Sequence, residues 1–311
     1  MHLAIMVDGE NGLSASAWLD LAQTADAIGV EALLRSDHYA GAEPADCLDA
    51  WTAISAAAAR TSRVRLGTLV SPVTFRPPAV LAKIAASVTA IGGRAVDVGL
   101  GIGWNEHEHR ASGLPFPPAS VRYRMAAEQA EILTGLWTGP FSFDGEFHRL
   151  DGADHRPRPE PRPRLVIGKR GGPRSLAFAA RWADEYNLVF VTPQRCAEVR
   201  TALARHCTES GRSTVPPLSV MTDFTVGRTE SEVADRLAAA AVHNPFLRGV
   251  AAADLPEPYL AGTPATLVAA LRRYQEQGVS RMILKLPDPT DHECLALLAD
   301  EVLPHFPTQE V

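Results

Sequence analysis

Short apolar runs alternate with longer helical stretches along almost the whole chain, and that alternation limits the folds open to it. The runs are Leu3–Asp8, Val30–Ser36, Val64–Ser71, Ala95–Gly101, Arg164–Gly168, Glu185–Val191, Leu218–Val226 and Val279–Lys285. They show little polar alternation, as parallel strands buried on both faces do. Helical spacing lies between them, near 15–28, 48–60, 78–91, 120–137, 173–182, 194–208, 230–241 and 264–277. In the first of these Trp18, Leu21, Ala22, Ala25 and Ile28 share a face behind Ser14 or Ser16 as N-cap. Thr263-Pro264 reads as a cap followed by proline at the first helical position. Eight such alternations predict a closed α/β fold, a (β/α)8 TIM barrel with insertions in the βα loops. An open doubly wound sheet would carry a glycine fingerprint after its first strand, where this chain has Asp8-Gly9-Glu10-Asn11-Gly12. A length of 311 residues allows two domains of ~150, but barrels of this size use it as one, so residues 1–311 are expected to form a single domain.

Two segments break the rhythm. Residues 139–163 alternate aromatics around Asp144-Gly145, which predicts a β-hairpin, and then run into a Pro/Arg stretch. Residues 243–262 hold Pro245, Pro256 and Pro258 with no periodicity. Insertions of this length act as lids, as binding loops or as surface decoration. Thirty Lys+Arg against 36 Asp+Glu give a formal charge of −6, with no basic excess to hold a phosphate backbone, so nucleic acid is not an expected partner. Only Lys83, Lys169 and Lys285 are lysines, which reads as compositional bias rather than chemistry. The most apolar helical stretch is interrupted by Lys83 and Arg94, so no membrane span of ~20 residues is expected. The N-terminus has no basic region before its short apolar run and reads as a strand, not a signal peptide. Cys47, Cys196, Cys207 and Cys294 form no C-x-x-C. The expectation is a soluble cytoplasmic protein.

On a barrel, chemistry belongs where strands end. His38, in Ser36-Asp37-His38-Tyr39, reads either as a group that exchanges a proton near neutral pH or as a structural strand-end histidine. Gly99-x-Gly101-x-Gly103 permits close backbone approach to a flat ligand, or simply tight geometry at the rim; it lacks nucleotide-motif spacing. Gly171-Gly172 before a helix starting near Pro173, with Lys169, Arg170 and Arg174, favours phosphate over a plain turn. His107-Glu108-His109 and the group His148, Asp154, His155 lack ligand spacing, so no metal is expected. Trp18, Trp51, Trp137 and Trp182 fall in helices as packing residues, whereas Trp104 stands on the strand-four rim.

Taken together, Ser36-Asp37-His38-Tyr39, LGTLVSPVTFRPP, GLGIGWNEHEHRASGLPFPP with RYRMAAEQAEILTGLW, PRLVIGKRGGPRSLAFAARWADEYN and AGTPATLVAALRRYQEQGVSRMIL resemble the bacterial-luciferase-like superfamily. Within it the chain is most similar to the coenzyme F420-dependent oxidoreductases. The resemblance implies a barrel, usually a homodimer, with its cofactor at the C-terminal face. It places Asp37 and His38 near the reactive part of the deazaflavin, with His38 as the catalytic residue and Asp37 as a ring anchor. It matches Leu69-Val70 to a strand-three bulge with a non-prolyl cis peptide behind the ring. Ile102, Gly103 and Asn105 would touch the ring or its ribityl chain, and Gly171 and Gly172 would hold the phosphate beside Arg174 and Ser175. In the sugar-phosphate dehydrogenase members a glutamate follows the strand-four glycines; here Trp104 stands there, with Glu106 two residues on. Trp104, Glu106 and Phe75 are therefore assigned to the substrate pocket, which suits an enone, an imine or an alcohol/carbonyl pair. The main expectation is F420-dependent hydride transfer at the deazaflavin C5. The alternatives are an FMN-dependent two-component monooxygenase fed by a partner flavin reductase, and a non-catalytic flavin-binding protein. An Asp-His pair leans toward F420, since luciferase-type members more often show Glu-His.

Overall fold

The computed structural model describes residues 1–41, 45–241 and 249–307. Its strands in chain order are β1 (His2–Val7), β2 (Ala32–Arg35), β3 (Arg65–Pro72), β4 (Asp97–Gly101), β5 (Phe141–Asp144), β6 (Arg149–Ala153), β7 (Arg164–Lys169), β8 (Glu185–Val189), β9 (Leu218–Val226), β10 (Leu260–Gly262) and β11 (Val279–Lys285). The helices are α1 (Ala15–Ile28), α2 (Ala50–Ala58), α3 (Pro78–Gly92), α4 (Glu106–Ala111), α5 (Ala119–Thr138), α6 (Pro173–Trp182), α7 (Pro193–Glu209), α8 (Glu230–Ala240), α9 (Pro264–Glu276) and α10 (His292–Leu297). Parallel pairing runs β9-β11-β1-β2-β3-β4-β7-β8, and β8 pairs back onto β9, which closes an eight-stranded barrel.

The absence of polar alternation has a direct cause. Leu3, Ile5 and Val7 of β1 face the helices, whereas Ala4 and Met6 join Ala32, Leu34, Leu69, Val166, Met221 and Ile283 inside the barrel. Helix boundaries follow local chemistry. The Ser14 hydroxyl accepts the Ala17 N–H at 3.2 Å, and Gly29, at φ 81°, ends α1 in the left-handed conformation. Thr263 caps α9 with Pro264 at its first position.

The N-terminal end of the barrel is filled by charge. The Arg281 guanidinium is 2% exposed and donates to Asp97 at 2.7 Å, Glu31 at 2.9 Å and Glu185 at 2.6 Å. Arg164 pairs with Glu185 and Glu31, and Arg65 with Glu31, so three arginines meet three carboxylates. Burial works against the charged forms, but the surrounding opposite charges prevail; Arg281 is held well above its ordinary value and Asp97 below its own.

The segment 139–163 forms the expected hairpin, β5–β6, but between α5 and β7. It is an αβ connection, not a βα loop, and so belongs to the end opposite the strand C-termini. Glu128 of α5 accepts the N–H groups of Glu146, Phe147 and His148, fastening the hairpin to the outside of the barrel. Pro161 shares a groove with Glu31, Arg63 and Arg65 at the N-terminal end. In the segment 243–262, residues 243–248 lie outside the described residues. Its last part does reach the C-terminal end, where β10 pairs with Phe224–Val226 of β9. Among the described residues no helix is long and apolar enough to cross a membrane.

Replacing Arg281 with Met removes the buried cation that Asp97 and Glu185 share and leaves them only the partly exposed Arg164 and Arg65. Urea unfolding is expected to show a loss of about 3–5 kcal/mol. A loss under about 1 kcal/mol would mean that the floor does not depend on this guanidinium.

Candidate active site

The C-terminal mouth is organised by the residues that follow β2. Arg35 is fully buried, lies over the Trp18 ring and donates to the Leu48 carbonyl at 3.0 Å. Its guanidinium occupies the space a side chain on Gly9 would need, so the β1–α1 loop passes here only as glycine. Ser36 latches that loop by accepting the Gly9 N–H at 2.9 Å and donating to Glu10. Asp37 is buried. Its Oδ2 accepts from the Ser71 hydroxyl and from Arg76, each at 2.6 Å, and Arg76 bridges onward to Asp49. Asp37 Oδ1 is buried with no hydrogen-bond partner among the described residues. Burial lifts this carboxyl above its ordinary range, although Arg76 and Ser71 pull the other way.

His38 is held by a residue from another loop. Glu108 of α4, only 2% exposed, takes His38 Nδ1 at 2.8 Å with one oxygen and the Tyr39 and Ala40 N–H groups with the other. That carboxylate fixes the proton on Nδ1 and leaves Nε2 for the mouth. Burial depresses the imidazole, but the Glu108 hydrogen bond and the charges of Glu10 and Glu108 outweigh it, so His38 titrates above its ordinary value. Glu108 is lowered: burial would raise it, but His38 and the two N–H groups overcome that.

Asn105 caps α4 by accepting the Glu108 N–H at 3.2 Å, and its carbonyl takes His109 Nδ1 at 2.6 Å. Its side chain thus serves the helix that presents Glu108. His109 Nε2 reaches the Thr74 hydroxyl at 2.6 Å, so this histidine is packed and bonded on both sides. Phe75 is sandwiched between Tyr39, stacked at 4.5 Å, and His109 at 5.0 Å. Trp104 is 74% exposed and meets the His38 ring edge-on at 5.6 Å. Glu106 begins α4 with its side chain in solvent.

The bond Leu69–Val70 is cis, at the position the family resemblance implies, and the β3–β4 register skips there between Thr68 and Ser71. Gly99 and Gly101 serve this bulge. A Cβ on either would strike the Val70 side chain, and on Gly99 the Thr68 carbonyl as well. Their smallness therefore admits Val70, which is the tight-geometry reading of the glycine motif. Ile102 is buried and its carbonyl accepts from Arg122 at 2.8 Å; Gly103, at φ 75°, turns the chain toward Trp104.

At the next strand over, Gly172 heads α6 with no side-chain cap and Pro173 follows it. Arg174 and Ser175 then carry the first-turn N–H groups that lack helical partners. The Ser175 hydroxyl is turned inward, to the Gly172 carbonyl and the Tyr186 phenol, which also accepts the Gly171 N–H. Lys169 lies 5.8 Å from the Tyr123 ring, so of the expected basic residues Arg170 and Arg174 are the exposed ones.

The structure thus gathers Asp37, His38, Phe75, Trp104 and Asn105 on one side of the mouth, and the α6 start two strands beyond β3. Reading by sequence missed Glu108, Arg76 and the ion pair that Lys285, at the end of β11, makes with Asp8 at 2.7 Å. For Glu108 a signal existed: Asn105-x-x-Glu108 has capping-box spacing, which marks a helix start, though here the carboxylate goes to His38 instead of back to the cap.

A sequence-family model described as luciferase-like monooxygenase matches residues 1–281. The pyrimidine monooxygenase RutA of Stutzerimonas stutzeri is 30% identical over 173 residues, 53% of this chain and 47% of that protein. The chain spans about half the length of the curated relatives it matches. Among solved structures, the monooxygenase RslO1 from Streptomyces bottropensis superposes with a TM-score of 0.81 at 25% identity, covering 99% of this chain and 100% of that one. An F420-dependent secondary alcohol dehydrogenase holding an F420–acetone adduct superposes with a TM-score of 0.84 over 99% of each chain; at 20% identity the likeness is one of fold.

The two shifts set one pH window: below it Glu108 takes up a proton, and above it His38 loses one. The stabilisation His38 gains from its partner is complete below the unfolded histidine value, about 6.5, and is lost as pH rises through the higher folded value. Glu108→Gln should bring the His38 imidazole titration, followed by NMR, down toward or below 6.5. An unchanged titration would remove Glu108 as the group that sets it.

Proposed function

The chain belongs to the luciferase-like monooxygenase family, and from that premise we propose that it is the oxygenating component of a two-component flavin monooxygenase, receiving reduced FMN from a partner flavin reductase. One observation carries the choice: two of the relatives alike beyond fold, RutA and RslO1, are named monooxygenases. The reading that was second in the sequence, FMN with oxygen, is therefore preferred here to F420-dependent hydride transfer.

Three features of the mouth fit a flavin. The uncapped α6 start offers N–H groups with Arg174 alongside, which suits a phosphate. The Leu69–Val70 bulge stands on the apolar barrel interior, which suits the back of a ring. The buried, unpartnered Asp37 Oδ1 is an acceptor in want of a donor. On this reading Gly171, Gly172, Arg174 and Ser175 hold the phosphate, Leu69 and Val70 support the ring, and Ile102, Gly103 and Asn105 border its side chain. When bound, reduced flavin supplies the two electrons with which dioxygen delivers one oxygen atom to a substrate and releases the other as water. His38 holds or gives a proton at Nε2, oriented by Glu108 at Nδ1. Trp104 forms the substrate wall at the His38 edge, with Phe75 buried behind it between Tyr39 and His109 and Glu106 at the solvent rim.

A second reading, hydride transfer with F420, keeps one feature in its favour, the Asp37-His38 pair. Titration of the purified protein with FMN and with F420 separates the two, followed by oxygen uptake with reduced FMN. Tighter FMN binding with oxygen uptake is the expected result; F420 preference without uptake would reverse the assignment. His38→Ala is expected to lower turnover by about 100-fold or more while leaving FMN affinity within about threefold. Equal turnover would take His38 out of the mechanism.

A further inference from the structure

Across the mouth from Trp104 the ends of β1, β8, β9 and β11 enclose a cavity of about 610 Å³, a volume suited to a small organic molecule. Resting on the monooxygenase reading, we propose that Lys285 and Asp8 are its substrate-recognition residues and take a neutral edge carrying both a carbonyl and an N–H, as in a lactam or other cyclic amide.

Lys285 Nζ lies 2.7 Å from Asp8 Oδ2 and 3.6 Å from Asp223 Oδ1, and the ammonium has three donors to distribute. The side chains of all three residues are about a quarter exposed or less, and all three line the cavity. The remaining charged group of the lining among the described residues, Asp288, already accepts from the Thr290 N–H and hydroxyl. Among the described residues the wall therefore holds three carboxylates against one ammonium. An anionic ligand meets net negative charge there, and a cationic one displaces Lys285 from Asp8. A neutral amide edge leaves the ion pair intact: its oxygen accepts from Lys285 while its N–H donates to Asp8. A site built this way rejects analogues that lack either group, because its own polar atoms are then left unpaired. Lys285 presents its charge as a compact point donor rather than a planar fork.

The cavity is linked to the residues assigned to the ring through one shared cluster. Phe190 lines it and packs, as Val70 does, on the same interior cluster. Phe190 is also the one non-glycine residue with positive φ among the described residues, at 51°, a conformation that bulky residues seldom adopt outside sites that need it. Its N–H is tied to the Met221 carbonyl at 3.0 Å, which holds it in place.

Calorimetric titration with 2-quinolone, N-methyl-2-quinolone and 2-naphthoate tests the assignment. The unmodified chain should bind the lactam at least about tenfold tighter than the N-methyl compound or the carboxylate. Lys285→Met should weaken lactam binding about tenfold or more, and Asp8→Ala should erase the preference over the N-methyl compound, both with FMN affinity unchanged. Equal binding of the three probes, preference for the carboxylate, no binding of the lactam, or a Lys285→Met variant that binds as the parent does would each overturn the proposal. FMN affinity and oxygen uptake are measured without these probes. A chain that prefers F420 yet discriminates among them overturns the monooxygenase reading alone.

Discussion

A closed ring of eight strands encloses a volume that its own side chains must fill, and the rest of this structure depends on how the two ends of that volume are treated. The floor is ionic. Arg281 on β11 reaches Asp97 on β4, Glu185 on β8 and Glu31 ahead of β2, none of them on a strand that neighbours β11. Such a layer ties strands across the barrel axis, which backbone pairing between neighbours cannot do. Taking charges out of water is unfavourable unless each is matched, and here three arginines, Arg281 buried and Arg65 and Arg164 half-buried, face three carboxylates. Above the floor the interior holds an apolar cluster beside the buried Asn187–Ser219 hydrogen bond, and at the top it is left open, so the residues at the strand ends are free to carry chemistry.

That open end divides into two halves. On one, His38 is governed from a distance in sequence by Glu108, and Asp37 is clamped by Ser71 and Arg76. On the other, Asp8, Asp223 and Lys285 sit around a cavity. Glu10 lies between them: it is latched to Ser36, and its charge is felt by His38 as Asp8's is felt by Glu10. The short β1–α1 loop thus connects the two halves electrostatically.

Much of the barrel was legible because strands apolar on both faces cannot alternate, and because Ser14, Gly29 and Thr263-Pro264 mark helix ends by local chemistry. The short helix α4 was not, since its buried residues are Glu108 and His109 and so leave no apolar period to detect. The same polarity drew attention to metal ligation and away from Glu108 as a partner of His38. The hairpin at 139–163 was readable from Phe141, Phe143 and Asp144-Gly145, but the end of the barrel it occupies is a matter of topology, fixed by its place after α5. Lys285 looked like a by-product of composition until folding set it beside Asp8 and Asp223.

The seating of Val70 against Gly99 and Gly101 carries a consequence for how such a chain can diverge. These three positions, on two adjacent strands, form one steric unit. A larger residue at 101 is admissible only where residue 70 has already shrunk or the bulge has been lost, and one at 99, which also meets the Thr68 carbonyl, only where the bulge has been lost. A lineage that abandoned the bulge could accumulate side chains in β4 freely, and would then be unable to return by any single substitution. The interlock acts as a ratchet on sequence change, which keeps the back wall of the mouth constant while the loops around it are free to vary.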